Sequence, residues 1–207
     1  MLFSGLLLFV VGLPTALVLS KPGWPGRSLV KALVSLPLIF PPIALGFFLL
    51  LLLGRNGWLN QWLPDAWHFD LIFSFEALLI AAFVAGLPLM VKPVLAALER
   101  EGRLFAEAAA TLGKTDAEIF WHVTLPSISG VLMAGLALSV GRGMGEVGMS
   151  LLLGGNLIGK TDTLSLAIYN AVLEGNFASA EKFAFILAIL ALALFVVLER
   201  LGRGLRR

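Results

Sequence analysis

Apolar runs long enough to cross a lipid bilayer constrain this chain more than any other feature of it. A hydrocarbon core about 30 Å thick takes roughly 20 helical residues to cross, and it offers no water to backbone N–H and C=O groups, so a single spanning segment must be helical. Runs of this kind cover residues 2–19, about 33–53, about 73–98, about 128–153 and about 183–198. The length of 207 residues would suit one or two soluble domains, but 59% hydrophobic residues and a mean hydropathy of +0.96 override that expectation. The fold class that follows is all-α: a polytopic membrane helical bundle of about five transmembrane helices, forming one domain over residues 1–207.

The first run resembles a signal peptide in length only. Nothing basic precedes Leu2, whereas Lys21 and Arg27 follow it, so it reads as a span, short at its N-terminal end because the chain was cut or begins late, and kinked by Pro14. The second run opens on Pro37, Pro41 and Pro42, and its first part is expected to be irregular. Broken backbone at membrane depth is tolerated where protein or a watery cavity surrounds it, which makes Pro41 and Pro42 pathway candidates; an interfacial kink without a role is the alternative. Between residues 55 and 70, Trp58, Trp62 and Trp67 form an aromatic belt of the sort that membrane interfaces favour.

Residues 99–126, EREGRLFAEAAATLGKTDAEIFWHVTLP, hold eight charges in a chain that is only 14% charged, so this segment sits in water between two spans. Leu104, Phe105, Ala108 and Leu112 recur at helical spacing, and Gly113 follows where a left-handed residue closes a helix. Thr115 and Glu118 then make a capping box for a second helix, and Leu125–Pro126 ends the hairpin. Glu107, Ala108 and Ala109, Gly113 after a gap of three, then Val123, Leu125 and Pro126 resemble the EAA loop of permease subunits in ABC importers, with Val123 in place of the usual Ile. The resemblance implies that Glu107, Ala108, Ala109 and Gly113 belong to coupling helices that dock on a cytoplasmic ATPase. A plain amphipathic hairpin joining two spans is the bland alternative.

Lys and Arg crowd the loop at residues 21–31, the hairpin and the tail from Arg200 to Arg207, while residues 55–70 carry one basic residue. The positive-inside rule then places the hairpin and C-terminus in the cytoplasm and the N-terminus outside. Arg142, Glu146 and Ser139 are polar groups of the fourth run. Ionisable residues at membrane depth are costly and face a bundle interior or a cavity, and a spacing of four on one helix lets Arg142 and Glu146 pair. Two readings stay open: a polar pathway lining with Arg142 able to meet an anion, or an ion pair that locks helix packing. Ala137, Gly141 and Gly145 offer a row of small residues for close helix approach.

Residues 154–182 are too polar to face lipid and are expected to form an extracytoplasmic loop with a helix at about 164–173. Gly154 to Thr161 matches the phosphate-loop pattern, but that motif requires a preceding strand in a soluble α/β domain, so the match is rejected. There is no cysteine, and the two histidines, His68 and His122, fall on opposite sides of the membrane, so no metal site is expected. No catalytic residue is expected either: an intramembrane enzyme using Arg142 and Glu146 would lack a nucleophile with a matched base, and a non-transporting scaffold would not need ionisable groups in a span.

Beyond the hairpin, LPLIFPPIALGFFLLLLLGRNG, FSFEALLIAAFVAGLPLMVKP and GRGMGEVG followed by GKTDTLSLAIYN resemble the molybdate-type permeases, with tungstate and sulfate permeases sharing much of the pattern. The resemblance implies an importer of an oxyanion, molybdate first, in the cytoplasmic (inner) membrane of a bacterium or archaeon. Its implied partners are a second copy of this chain, two cytoplasmic ATP-binding subunits and an extracytoplasmic oxyanion-binding protein. No cofactor is expected in this chain, since ATP and Mg would lie on the ATPase. A net charge of +2 implies no nucleic-acid partner.

Overall fold

Prolines decide where the helices of this chain bend and where they stop. The computed structural model describes residues 2–64, 70–102, 105, 109 and 111–204, and among these it contains helices and no strand. Helix α1 (Leu2–Leu7) passes through a π-helical turn (Leu8–Gly12) into α2 (Leu13–Ser20). Pro14 has no N–H for the carbonyl four residues back and its ring would strike that carbonyl, so the turn just before it widens. The kink expected at Pro14 takes this form.

Helix α3 (Arg27–Ile39) corrects the expectation of irregular backbone over the start of the second run, because it is regular through Pro37. The break comes only at Phe40 and Pro41, whose ψ angles of 143° and 134° are extended. Each of these two residues precedes a proline, and the crowding of a proline ring disfavours the α conformation in the residue before it. Pro42 then opens α4 (Pro42–Leu53), where its missing N–H leaves no bond unmade. A single turn, α5 (Trp58–Gln61), follows.

Helix α6 (Phe75–Ala97) starts at Ser74, whose hydroxyl accepts the Ala77 N–H at 3.2 Å, and runs through Pro88 and Pro93 into a π turn (Leu98–Gly102). After the hairpin, α7 (Asp116–Ile119), a π turn (Phe120–Thr124) and α8 (Leu125–Met144) form one continuous helix of 29 residues. Leu125–Pro126 therefore does not end a helix, since the widened turn absorbs the proline. The fourth run, expected to be unbroken over 128–153, stops at Gly145 and resumes as α9 (Gly148–Gly154). Helix α10 (Leu164–Leu173) lies where the sequence put it, with the Thr163 hydroxyl as its N-cap, and α11 (Phe177–Gly204) extends well past the expected 183–198 at both ends.

Among the described residues, five helical stretches are long and apolar enough to cross a membrane: Phe3–Ser20, Pro42–Gln61, Phe75–Arg100, Asp116–Met144 and Phe177–Gly202. The most enclosed is α6. One apolar core joins it to α2, α3 and α8 through Leu19, Val34, Val91, Leu95, Ile128 and Leu132, and a second joins it to α4 and α9 through Ala81, Ala85, Met149 and Leu153. Helix α11 packs along α8 but leaves Phe185, Ile189 and Leu192 outward, as a surface bathed in lipid permits.

The tightest helix crossing lies on another row of small residues than the sequence suggested. A Cβ at Gly86 would sit 2.6 Å from the Ser139 carbonyl oxygen, and one at Gly143 would sit 3.0 Å from that of Ala82, so α6 and α8 meet backbone to backbone. A Cβ at Gly141 would meet only open space. The row Gly135, Ser139 and Gly143 does the packing against α6, and Gly141 does not supply it, because α6 approaches a face of α8 that lies two residues, about 200°, round the helix.

Candidate functional site

The hairpin closes its turn as its residues dictate. Gly113 has φ 75°, and the Lys114 N–H reaches back to the Ala109 carbonyl at 3.4 Å, the closure that a left-handed residue after a helix permits. Thr115 and Glu118 make the reciprocal cap: the Thr115 N–H donates to Glu118 Oε2 at 2.9 Å, and the Glu118 N–H donates to Thr115 Oγ1 at 3.4 Å. Lys114 Nζ bonds Glu118 Oε1 at 3.1 Å on the same surface. Ala109 is buried, whereas Leu112 is 81% exposed and Phe105 and Trp121 are also outward. Of the expected coupling residues, Ala109 and Gly113 are thus placed in one turn, while Glu107 and Ala108 lie outside the described residues, as does His68.

Pathway candidates converge where two helix breaks meet. A Cβ at Gly148, the first residue of α9, would lie 3.1 Å from Pro42 Cβ and from the Ile43 N, and one at Gly46 would lie 3.0 Å from Met149 Cα. The first turns of α4 and α9 therefore touch through backbone, with Pro42 at the contact and Pro41 exposed beside it. Arg142 NH1 bonds Glu146 Oε2 at 2.7 Å, as the spacing of four predicts. The two do not share a helix, however, because Gly145 ends α8 and Glu146 lies in the break.

That break gives Glu146 a second task that its spacing did not reveal. Its Oε1 accepts the Met149 N–H at 3.0 Å, so one oxygen holds Arg142 and the other caps the start of α9. The Glu146 side chain is 1% exposed and that of Arg142 35%. A buried carboxylate keeps its charge only with such partners, and here it pins a half-exposed guanidinium at the junction of two helices. An arginine so placed has further N–H donors in a planar fork, the geometry that grips oxyanions. Ser139 stands apart from this group: it is wholly buried against α6, and its hydroxyl donates to the Gly135 carbonyl at 2.7 Å.

Two features went unread in the sequence. The glycine density of GRGMGEVG signals the break at Gly145, which a row of small residues for packing does not by itself imply. The start of α3 is tied to the π turn that follows α6 by Glu99, whose Oε1 accepts from Arg27 at 2.6 Å and from Lys31 at 2.9 Å, a contact between residues far apart in the chain. Elsewhere, Thr161 of the rejected phosphate-loop pattern is buried, accepting the Leu157 N–H at 2.8 Å and donating to the Gly154 carbonyl at 2.7 Å. Its hydroxyl is consumed in shaping the turn. Among the described residues no group of His, Asp and Glu has the arrangement of a metal site.

Residues 9–207 match the family described as "Binding-protein-dependent transport system inner membrane component". A sulfate transport system permease protein, CysW of Synechocystis, is 37% identical over 190 residues, covering 92% of this chain and 68% of that protein. A molybdenum transport system permease protein, ModB of Haemophilus influenzae, is 33% identical over 199 residues, covering 91% of this chain and 86% of that protein. Among solved structures, an inward-facing form of the MetNI methionine ABC transporter superposes with a TM-score of 0.71 at 21% identity, covering all of this chain and 91% of that one. At that identity the likeness concerns the fold.

Proposed function

The chain belongs to the family of binding-protein-dependent transport system inner membrane components, the permease subunits of ABC importers, and from that premise we propose that it carries a tetrahedral oxyanion of the molybdate and sulfate type. As a multi-pass membrane permease it is a transport subunit and not an enzyme. The observation that carries the oxyanion reading is Arg142, anchored by a buried carboxylate yet partly open at the meeting point of two broken helices. At rest the Glu146 carboxylate occupies the guanidinium. An arriving oxyanion competes for the same N–H donors, and the flexible backbone at Gly145 lets the two side chains part.

Molybdate, tungstate and sulfate present the same tetrahedral shape and double negative charge, so one arginine site serves all of them, and molybdate is the first cargo to test. Two copies of this chain would enclose the pathway, with two ATP-binding subunits below and an oxyanion-binding protein above; ATP and Mg would act on the ATPase. The hairpin at residues 99–126, with Glu107, Ala108, Ala109 and Gly113, would be the docking element. The outward Leu112 and Phe105 support this, since a partner's cleft would cover apolar side chains that otherwise face water. In this reading the hairpin and C-terminus lie in the cytoplasm, and the segment at residues 154–182 lies outside.

The test is uptake into vesicles that hold the chain with its ATPase and a loaded binding protein. Labelled molybdate is expected to enter at the cost of vanadate-sensitive ATP hydrolysis, with labelled sulfate as the parallel arm. Hydrolysis that responds to the binding protein without entry of either anion would overturn the oxyanion reading.

A further inference from the structure

A lysine with no ion-pair partner among the described residues sits in the membrane-spanning part of α6. Lys92 is exposed, seven residues before Glu99 and therefore on the same face of the helix about two turns deeper, roughly 10 Å along the axis. Among the described residues it has no carboxylate partner, because Glu99 is engaged through one oxygen by Arg27 and Lys31. Arg27 and Lys31 together carry one positive charge more than Glu99 neutralises, and Lys92 adds another on the same face of α6. Between α3 and α6, Lys31 and Lys92 border a pocket of about 300 Å³ whose polar part is completed by Glu99 and Ser35, with Val34, Val91 and Leu95 in its apolar wall.

A lysine inside an apolar span is costly unless its ammonium reaches an anion or the interface, which its flexible stem allows it to do. We propose that this pocket binds the phosphate headgroup of an anionic phospholipid in the leaflet on the hairpin side, with Lys92 and Lys31 on the phosphate and an acyl chain along the apolar wall. The position favours a lipid over a free anion. Phosphate dissolved in water would have to shed its hydration to reach Lys92, whereas a headgroup already lies at that depth and brings a chain for the apolar side. Leu33 and Leu38 of α3 are exposed next to the pocket, which continues the lipid-facing surface up to its rim.

Native mass spectrometry of the full-length chain, released from micelles with equal phosphatidylglycerol and phosphatidylcholine, reads the site directly. The wild type is expected to retain one phosphatidylglycerol in preference to phosphatidylcholine. Lys92→Gln should lower that preference about fivefold, the effect of one basic residue at a charged membrane surface, and Lys92→Arg should restore it. Ala96→Trp, at an exposed position that lines the pocket, leaves every charge in place and should block retention by filling the space. It serves as the second variant if Lys92→Gln fails to fold. Equal retention of the two lipids by the wild type, or retention unmoved by both substitutions, overturns the proposal. Displacement of the lipid by millimolar inorganic phosphate also overturns it, because the pocket would then be a site for a free anion.

Discussion

Removing Arg142 should harm the fold more than removing Glu146, although each is the other's partner. The reason is the difference in exposure, 1% for the Glu146 side chain against 35% for that of Arg142. In Arg142→Met the carboxylate stays buried without a counter-charge, a situation that costs about 3 to 5 kcal/mol. In Glu146→Leu the guanidinium can turn to water, so the loss is the charge-assisted bond at the low end of its range, about 1.5 kcal/mol, plus the cap on α9, about 1 kcal/mol. For a chain of this length about 2 to 4 °C accompanies each kcal/mol, so roughly 6 to 20 °C is expected for Arg142→Met and roughly 5 to 10 °C for Glu146→Leu. Thermal unfolding of the purified chain followed by tryptophan fluorescence makes the comparison. The double substitution should recover most of the loss, because only the cap is then missing. A melting temperature for Glu146→Leu at or below that of Arg142→Met would refute the reasoning from burial. Once the double variant is stable, vesicle uptake separates the two roles: normal molybdate entry leaves the pair as structure, and its loss marks Arg142 as part of the pathway.

Gly86→Ala forces a methyl to within 2.6 Å of the Ser139 carbonyl and should cost about 1 to 3 kcal/mol, while Gly141→Ala, which meets open space, should leave the monomer's melting temperature unchanged; equal shifts would contradict the helix crossing described. Gly113→Val should destabilise the hairpin turn by about 1 to 2 kcal/mol through its left-handed backbone alone, since no atom crowds the site, and with Glu107→Ala it should reduce co-purification of the ATPase; full retention of the ATPase by both variants would remove the coupling role. Topology is open to single cysteines in a chain that has none. Gln61→Cys and Glu174→Cys, at exposed positions, should react with an impermeant thiol reagent from outside and Lys114→Cys only after permeabilisation, whereas Asn60 is buried and unsuited to labelling; outside reaction at Lys114 would invert the orientation.

Much of this molecule is local in origin, and local features are what a sequence displays. The apolar runs determined that the chain is a helical membrane bundle, because lipid gives the backbone no other partner. Gly113, Thr115 and Glu118 specified the hairpin turn within a few residues of one another, as Thr163 did the start of α10. The prolines announced disturbance, but whether a helix would break or merely widen depended on neighbours: Pro14 and Pro126 are absorbed by π turns, whereas the paired Pro41 and Pro42 stop a helix.

What only the tertiary structure decided is which faces meet. The row of small residues that packs is set by where α6 lies on α8, and that is the face of Gly143, about half a turn round the helix from Gly141. Glu146 became a helix cap because Gly145 ends α8, and the start of α9 that it caps lies against the break between α3 and α4. Glu99 joins Arg27 and Lys31 across a separation of about seventy residues. Such contacts depend on loop closure and helix rotation summed over the whole bundle, and no short window of residues contains that information.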